Sequence, residues 1–288
     1  MTAIVPRRVR FDWTATPLHW VPGDPQTTHT INVLHLLLPA GEKWFVHVYR
    51  QALPLVTDDQ LRADVKGFMG QEAVHSRAHA GVLDHLAAQG LDPAPYTRRV
   101  DWLFERLLGD QPFGRTPPPF IQRAWLKQRL AIIASVEHYT AVLGMWVLDS
   151  PALDAAGADG TMLDLLRWHG AEEVEHRSVA FELFQHLSGS YLRRLETMIV
   201  SAFALAFLWI AGTRFFMQAD PTAAGKASWR AYRRAVRQGR APSLRQIYGT
   251  MPDYLRRSYH PDAHGDTDLA LRYLASSPAA RAAAQAAA

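Results

Sequence analysis

Cysteine is absent from the 288-residue chain. That excludes disulfides, a thiolate nucleophile, and any zinc or iron–sulfur site built on cysteine sulfur. A metal held here must sit on imidazoles and carboxylates. The absence fits a reducing cytoplasm, and a cytoplasmic location is the expectation. The first residues, MTAIVPRRVRFDW, lack the apolar core of a secretory signal. No convincing polar/apolar alternation bounded by turns is present, so little or no sheet is expected. The zincin pattern His-Glu-x-x-His is missing, which removes support for that protease chemistry. No recognised nucleic-acid motif is present, and no nucleic-acid partner is expected.

What remains is an ordinary globular composition with 48% hydrophobic residues, enough for one large domain or a domain with an appendage. Net charge is +4, and the excess gathers at Arg7, Arg8 and Arg10 and again between Lys226 and Arg245. It reads first as solvated surface, and second as a contact for anionic lipid or nucleic acid.

The expected fold class is all-α: a four-helix bundle with extra C-terminal helices. Residues 1–26 read as an N-terminal arm, 27–220 as the bundle, and 221–288 as a basic helical extension. A first helical stretch over about 27–37 should stop at Pro39, and a second should run to about Ala52. Thr57-Asp58 reads as an N-cap for a long helix ending near Gln89. Further helices are expected near 97–109, 118–148 and 160–187. The most apolar run, 198–213, reads as a core helix or one packed on a second subunit, which makes a homodimer plausible. It is near the lower edge of a membrane span, and a cationic amphipathic stretch follows. The alternative is therefore membrane-surface contact through 198–240, with peripheral attachment at the inner membrane. The Ala-rich last fifteen residues are expected to fray.

The chemistry lies in two Glu-x-x-His tetrads, Glu72-Ala-Val-His75 and Glu173-Val-Glu-His176. Residues i and i+3 share a helix face, so each tetrad aims a carboxylate and an imidazole at one point. With nine Glu and thirteen His in the chain, chance predicts well under one such match. Glu42 precedes the first tetrad by 30 residues and Glu137 precedes the second by 36, a duplicated helix-pair order. One Glu from each of two helices plus one tetrad from each of two others is the ligand plan of carboxylate-bridged dinuclear bundles. His169 lies one turn before Glu173 and adds a third imidazole, giving seven candidate ligands: Glu42, Glu72, His75, Glu137, His169, Glu173 and His176. His79 reads as an outer partner or core histidine rather than a ligand. His138 reads as a packing or hydrogen-bonding residue, since it points about 100° from Glu137. Glu172 and Glu175 read as outward or as outer partners. Tyr49 and Tyr139 read as core, with radical gating or cavity lining as the alternative.

The segments Gly41-Glu42-Lys-Trp-Phe, Gln71-Glu72-Ala-Val-His75-Ser-Arg-Ala-His79, Glu137-His138-Tyr-Thr-Ala and Trp168-His169-Gly-Ala-Glu-Glu173-Val-Glu-His176 resemble a bacterial family described as predicted metal-dependent hydrolases. The resemblance covers about residues 7–250 and implies a ferritin-like fold. The His-x-x-x-Glu-x-x-His arrangement also resembles the di-iron arylamine N-oxygenases, of which p-aminobenzoate N-oxygenase is one.

Three functions follow as expectations. The first is a dinuclear oxygenase or oxidase with two metal ions, iron first and manganese–iron or dimanganese next. It would use dioxygen as co-substrate, an external electron donor, and a small organic substrate, aromatic ones included, near Trp44, Phe45, Phe68 and Tyr139. The second is a metal-dependent hydrolase using bridging hydroxide, with Glu172 as a spare base. The third is a non-catalytic metal-binding or membrane-surface protein.

Overall fold

Four of the five long helices begin where a polar side chain takes up a free backbone N–H, and the fifth, Pro119–Leu148, opens on proline instead. Asp24 accepts from Thr27 N before α1 (Pro25–Ala52), and Asp58 accepts from Leu61 N before α2 (Asp59–Ala88). Then come α3 (Ala94–Trp102), a π-helical turn at Leu103–Leu107, α4 (Pro119–Leu148) and the short α5 (Pro151–Ala155). Asp159 caps α6 (Gly160–His176), α7 spans Val179–Leu187, and Ser190 caps α8 (Tyr191–Ala219). The C-terminal part holds α9 (Trp229–Arg237), α10 (Leu244–Tyr248), α11 (Met251–Tyr254), α12 (Thr267–Ser276) and α13 (Pro278–Ala287). The computed structural model describes residues 4–222 and 225–287, and no strand occurs among them. The protein is all-α.

The bundle consists of two packed pairs. α1 lies against α2, α4 lies against α6, and the pairs meet through α1–α4 and α2–α6 contacts. The second pair approaches unusually closely. A Cβ on Gly144 would stand 2.5 Å from the Gly170 carbonyl oxygen, and one on Gly170 would stand 2.8 Å from Gly144 Cα. Only glycine at both positions lets these backbones meet. α8 covers α1 and α4 on the outside, while α12 and α13 cover α6.

Three expectations need correction, and a fourth is narrowed. Pro39 does not stop a helix but sits inside the continuous α1. Proline forfeits one ladder bond, and α1 is buried on both sides of it, so packing outweighs the loss. The Pro39 carbonyl also accepts from the Ser76 hydroxyl at 2.8 Å, which ties α1 to α2 at this point. The helix expected over 160–187 breaks after His176. There the Arg177 guanidinium donates to the Val174 carbonyl, competing with the ladder bond that would continue the helix. The C-terminus is ordered rather than frayed: Asp164 accepts from Ser277 Oγ at 2.7 Å and from Ala279 N at 2.9 Å, docking α13. Finally, the run at 198–213 lies in a helix buried on one side only. Of the apolar stretch in α8, 28% is buried, against 56% in α4, although both are long and apolar enough to cross a membrane. Ile199, Phe203, Phe207 and Ile210 face outward at helical spacing.

Candidate metal centre

Each of the four bundle helices delivers its share to one point in the interior. α1 brings Glu42, α2 brings Glu72 and His75, α4 brings Glu137, and α6 brings His169, Glu173 and His176. All seven residues are at most 5% exposed. His176 Nε2 lies 3.4 Å from Glu72, 3.3 Å from Glu137 and 3.5 Å from Glu173. His75 Nδ1 lies 3.5 Å from both Glu72 and Glu173. His169 Nε2 lies 2.8 Å from Glu173 and 3.6 Å from Glu42. All seven residues predicted from the sequence come together.

The inner atoms of this cage are largely unpartnered. Both oxygens of Glu42 and of Glu137, one each of Glu72 and Glu173, His75 Nδ1 and His176 Nε2 are buried with no hydrogen-bond partner. Orphaned buried polar atoms are rare, because each forfeits its hydration without return. Here they all face one another. Combinations such as Glu72, Glu173 and His176, or Glu42, Glu72 and His75, bring donor atoms within 4.8 Å of one another, close enough to hold an ion. The residues present therefore fit divalent metal: carboxylate oxygens and imidazole nitrogens, dry and converging.

Charge strain in the cage points the same way. Burial, and then the charge on Glu173, pushes Glu72 and Glu137 up to about 8. Burial and its three carboxylate neighbours hold Glu42 well above the usual range. Glu173 is the exception. Burial opposes its ionisation, but His176, together with the hydrogen bond from His169, outweighs that and holds it well below the usual range. His176 is raised in turn, burial being outweighed by Glu173 and Glu137. Without a cation, then, the cage keeps one ion pair and stores protons on the other carboxylates.

The outer nitrogen of every imidazole is held from behind. His75 Nε2 bonds Glu172 at 2.8 Å, and Glu172 in turn accepts from Arg7 at 2.8 Å. His176 Nδ1 bonds the Gln71 side-chain oxygen at 2.9 Å, and Gln71 donates to Glu175, which Arg7 also binds. His169 Nδ1 bonds His79 Nε2 at 3.0 Å, and His79 Nδ1 bonds His35 Nδ1 at 2.7 Å. Outer hydrogen bonds of this kind fix the tautomer and ring orientation of metal-binding histidines. They leave the cage-facing nitrogens of His75 and His176 without a protein partner, whereas that of His169 bonds Glu173 at 2.8 Å.

Several of these outer residues escaped the sequence reading. Gln71 precedes the first tetrad without repeating its spacing. Arg7 reads as one of a basic surface trio, yet it runs inward to Glu172 and Glu175. Its arm is pressed against α2, where a Cβ on Gly67 would lie 2.3 Å from the Ile4 carbonyl oxygen. His35 was detectable, since it lies two turns before Glu42 on the same face of α1. Of the two readings of Glu172, the outer partner is the one found: it is buried beside the cage, and its bonds to His75 and Arg7 make it unavailable as a spare base.

Among the aromatics, Phe68 packs on His176 with ring centroids 4.5 Å apart and stacks on Tyr49 at 4.9 Å. The Tyr49 hydroxyl is buried and unpartnered, and burial plus the charges of Glu137 and Glu72 raise it well above the usual range. Tyr139 turns away from the cage to pack against Tyr248. His138 turns away too, bonding Tyr259 and Thr250 at 2.9 Å each. A cavity of about 400 Å³ opens between α4, α6 and the C-terminal segment, lined by His138, Met145, Trp146, Val174, Arg177 and Tyr259 among others. No cage residue lines it, but Glu137 and Glu173 are the chain neighbours of His138 and Val174.

A model of the family described as "Predicted metal-dependent hydrolase" matches residues 5–265. The chain belongs to that family. No curated protein and no solved structure matches it.

Proposed function

We propose that this chain is a metal-dependent hydrolase whose active site is a dinuclear centre held by Glu42, Glu72, His75, Glu137, His169, Glu173 and His176. One observation carries the centre: inward-facing carboxylate oxygens and imidazole nitrogens without partners, with each imidazole held in place from outside. Membership of the family carries the reaction class. Bound metals would supply Lewis acidity and lower the pKa of a water nucleophile. The protein's part is to fix the donors, exclude bulk water and hold the imidazole tautomers. The cavity beside His138 and Arg177 is the proposed entry for a small ester, amide or phosphoester.

A second reading, an oxygen-activating oxidase or oxygenase, draws on the complete burial of the cage. A buried, carboxylate-rich site suits dioxygen, which is small and apolar, and suits iron or manganese. The ligand plan is that of ferritin-like dinuclear proteins. That reading requires an external electron donor. Anaerobic reconstitution with Fe(II), Mn(II) or Zn(II) separates the two. The hydrolase predicts cleavage of an ester or phosphoester panel at equal rates with and without oxygen. Absence of cleavage, together with a new absorption band on oxygen exposure that decays faster with an aromatic amine, would replace it with the oxygenase.

A further inference from the structure

A second cluster of imidazoles and a carboxylate is anchored on α1 by His29, 13 residues before Glu42 and about 20 Å along the helix from the cage. His19 Nε2 and His29 Nε2 both reach Asp220 Oδ2, at 2.6 and 2.7 Å. The three donor atoms lie within 4.8 Å of one another. They come from three separate parts of the chain: the N-terminal arm, α1 and the end of α8. The other carboxylate oxygen, Oδ1, is fixed by Thr222, whose backbone N–H and hydroxyl donate at 2.8 and 2.6 Å. His29 is fully buried and stacks on Phe216, with ring centroids 5.6 Å apart. Both Asp220 and His29 are thus oriented before any ligand arrives. The His19 side chain is 24% exposed, leaving one side open to water.

Two features single this cluster out from an ordinary hydrogen-bonded aspartate. Two rings spend the same nitrogen on one oxygen, although the carboxylate already has two donors from Thr222. The carboxylate also stands at the C-terminal cap of a 29-residue helix, the end where carbonyl dipoles disfavour an anion and favour a cation. We propose that His19, His29 and Asp220 form a mononuclear site for a borderline divalent cation, zinc first, with water completing the coordination. Two neutral nitrogens and one carboxylate oxygen suit zinc, cobalt or nickel better than magnesium or calcium. Such an ion would tie the arm to α1 and α8. The same arm carries Arg7 to the partners of His75 and His176, so the outer ion would steady the cage at a distance.

The test uses the full-length protein, stripped with chelator, loaded with zinc, desalted and assayed by elemental analysis. His19→Ala and Asp220→Asn should each hold one zinc fewer than wild type and should lose part of the zinc-induced rise in melting temperature. Glu137→Ala should lose cage metal while keeping this outer equivalent, so failure here and failure of the cage give different patterns. His19 is partly exposed, so its truncation leaves the fold intact even if Asp220→Asn does not. In the His19→Ala protein, the visible band of bound cobalt(II) from this site should be missing. Wild-type zinc content and an unchanged cobalt spectrum in His19→Ala would overturn the proposal, leaving two imidazoles that merely donate to an aspartate.

Discussion

The two Glu-x-x-His tetrads share a spacing but use their imidazoles oppositely. His75 turns Nδ1 into the cage and gives Nε2 to Glu172, whereas His176 turns Nε2 inward and gives Nδ1 to Gln71. The i, i+3 spacing brings each ring to the site, but the residue behind the ring decides which nitrogen faces a metal. The backing differs in strength. An anion pinned by Arg7 stands behind His75, and a neutral amide stands behind His176. The first half of the cage is therefore the more polarised, and the third imidazole of the second half, His169, offsets part of that inequality.

The comparison breaks most completely at a carboxylate that the second tetrad shares. Glu137→Ala removes the α4 oxygens beside His176 and should strip the cage of one or both ions, read as metal per chain after desalting. Next in size come the backing residues. Glu172→Gln should weaken metal binding about 10–100-fold by calorimetric titration, the range for lost outer partners, and Gln71→Leu should weaken it less. Equal losses would erase the distinction between the halves. Arg7→Ala touches both halves through Glu172 and Glu175 and should cost about 1–3 kcal/mol of stability by thermal unfolding, the penalty for an unpaired buried polar group.

The last effect concerns pH and the metal-free protein. Glu72 and Glu137 are raised to about 8 in the fold, against a usual carboxylate value near 4.5. Between those values the unfolded chain has released the protons that the native cage retains. Stability should thus fall as pH rises from about 4.5 to about 8, then level off. Melting temperature across that range should decline without metal and stay flatter with it.

The cage was legible because its signal is local. Tetrads at one-turn spacing and single Glu residues at matched intervals survive in the sequence. Asp58 was legible as a cap for the same reason. The outer shell was less so, because it joins residues distant in the chain: Arg7 reaches Glu172 across 165 positions and His19 reaches Asp220 across 201. Pro39 misled because its local cost is smaller than the packing on either side. The break after His176 depends on where one Arg177 side chain lands, which no periodicity encodes.

Counting metals decides whether the cage is dinuclear. The His19→Ala protein silences the proposed outer site, so its divalent metal content after anaerobic loading and desalting reports the cage alone. Two ions per chain are expected, falling to one or none in the Glu137→Ala, His19→Ala double variant. A single ion per chain that survives Glu137→Ala would rule out a metal pair.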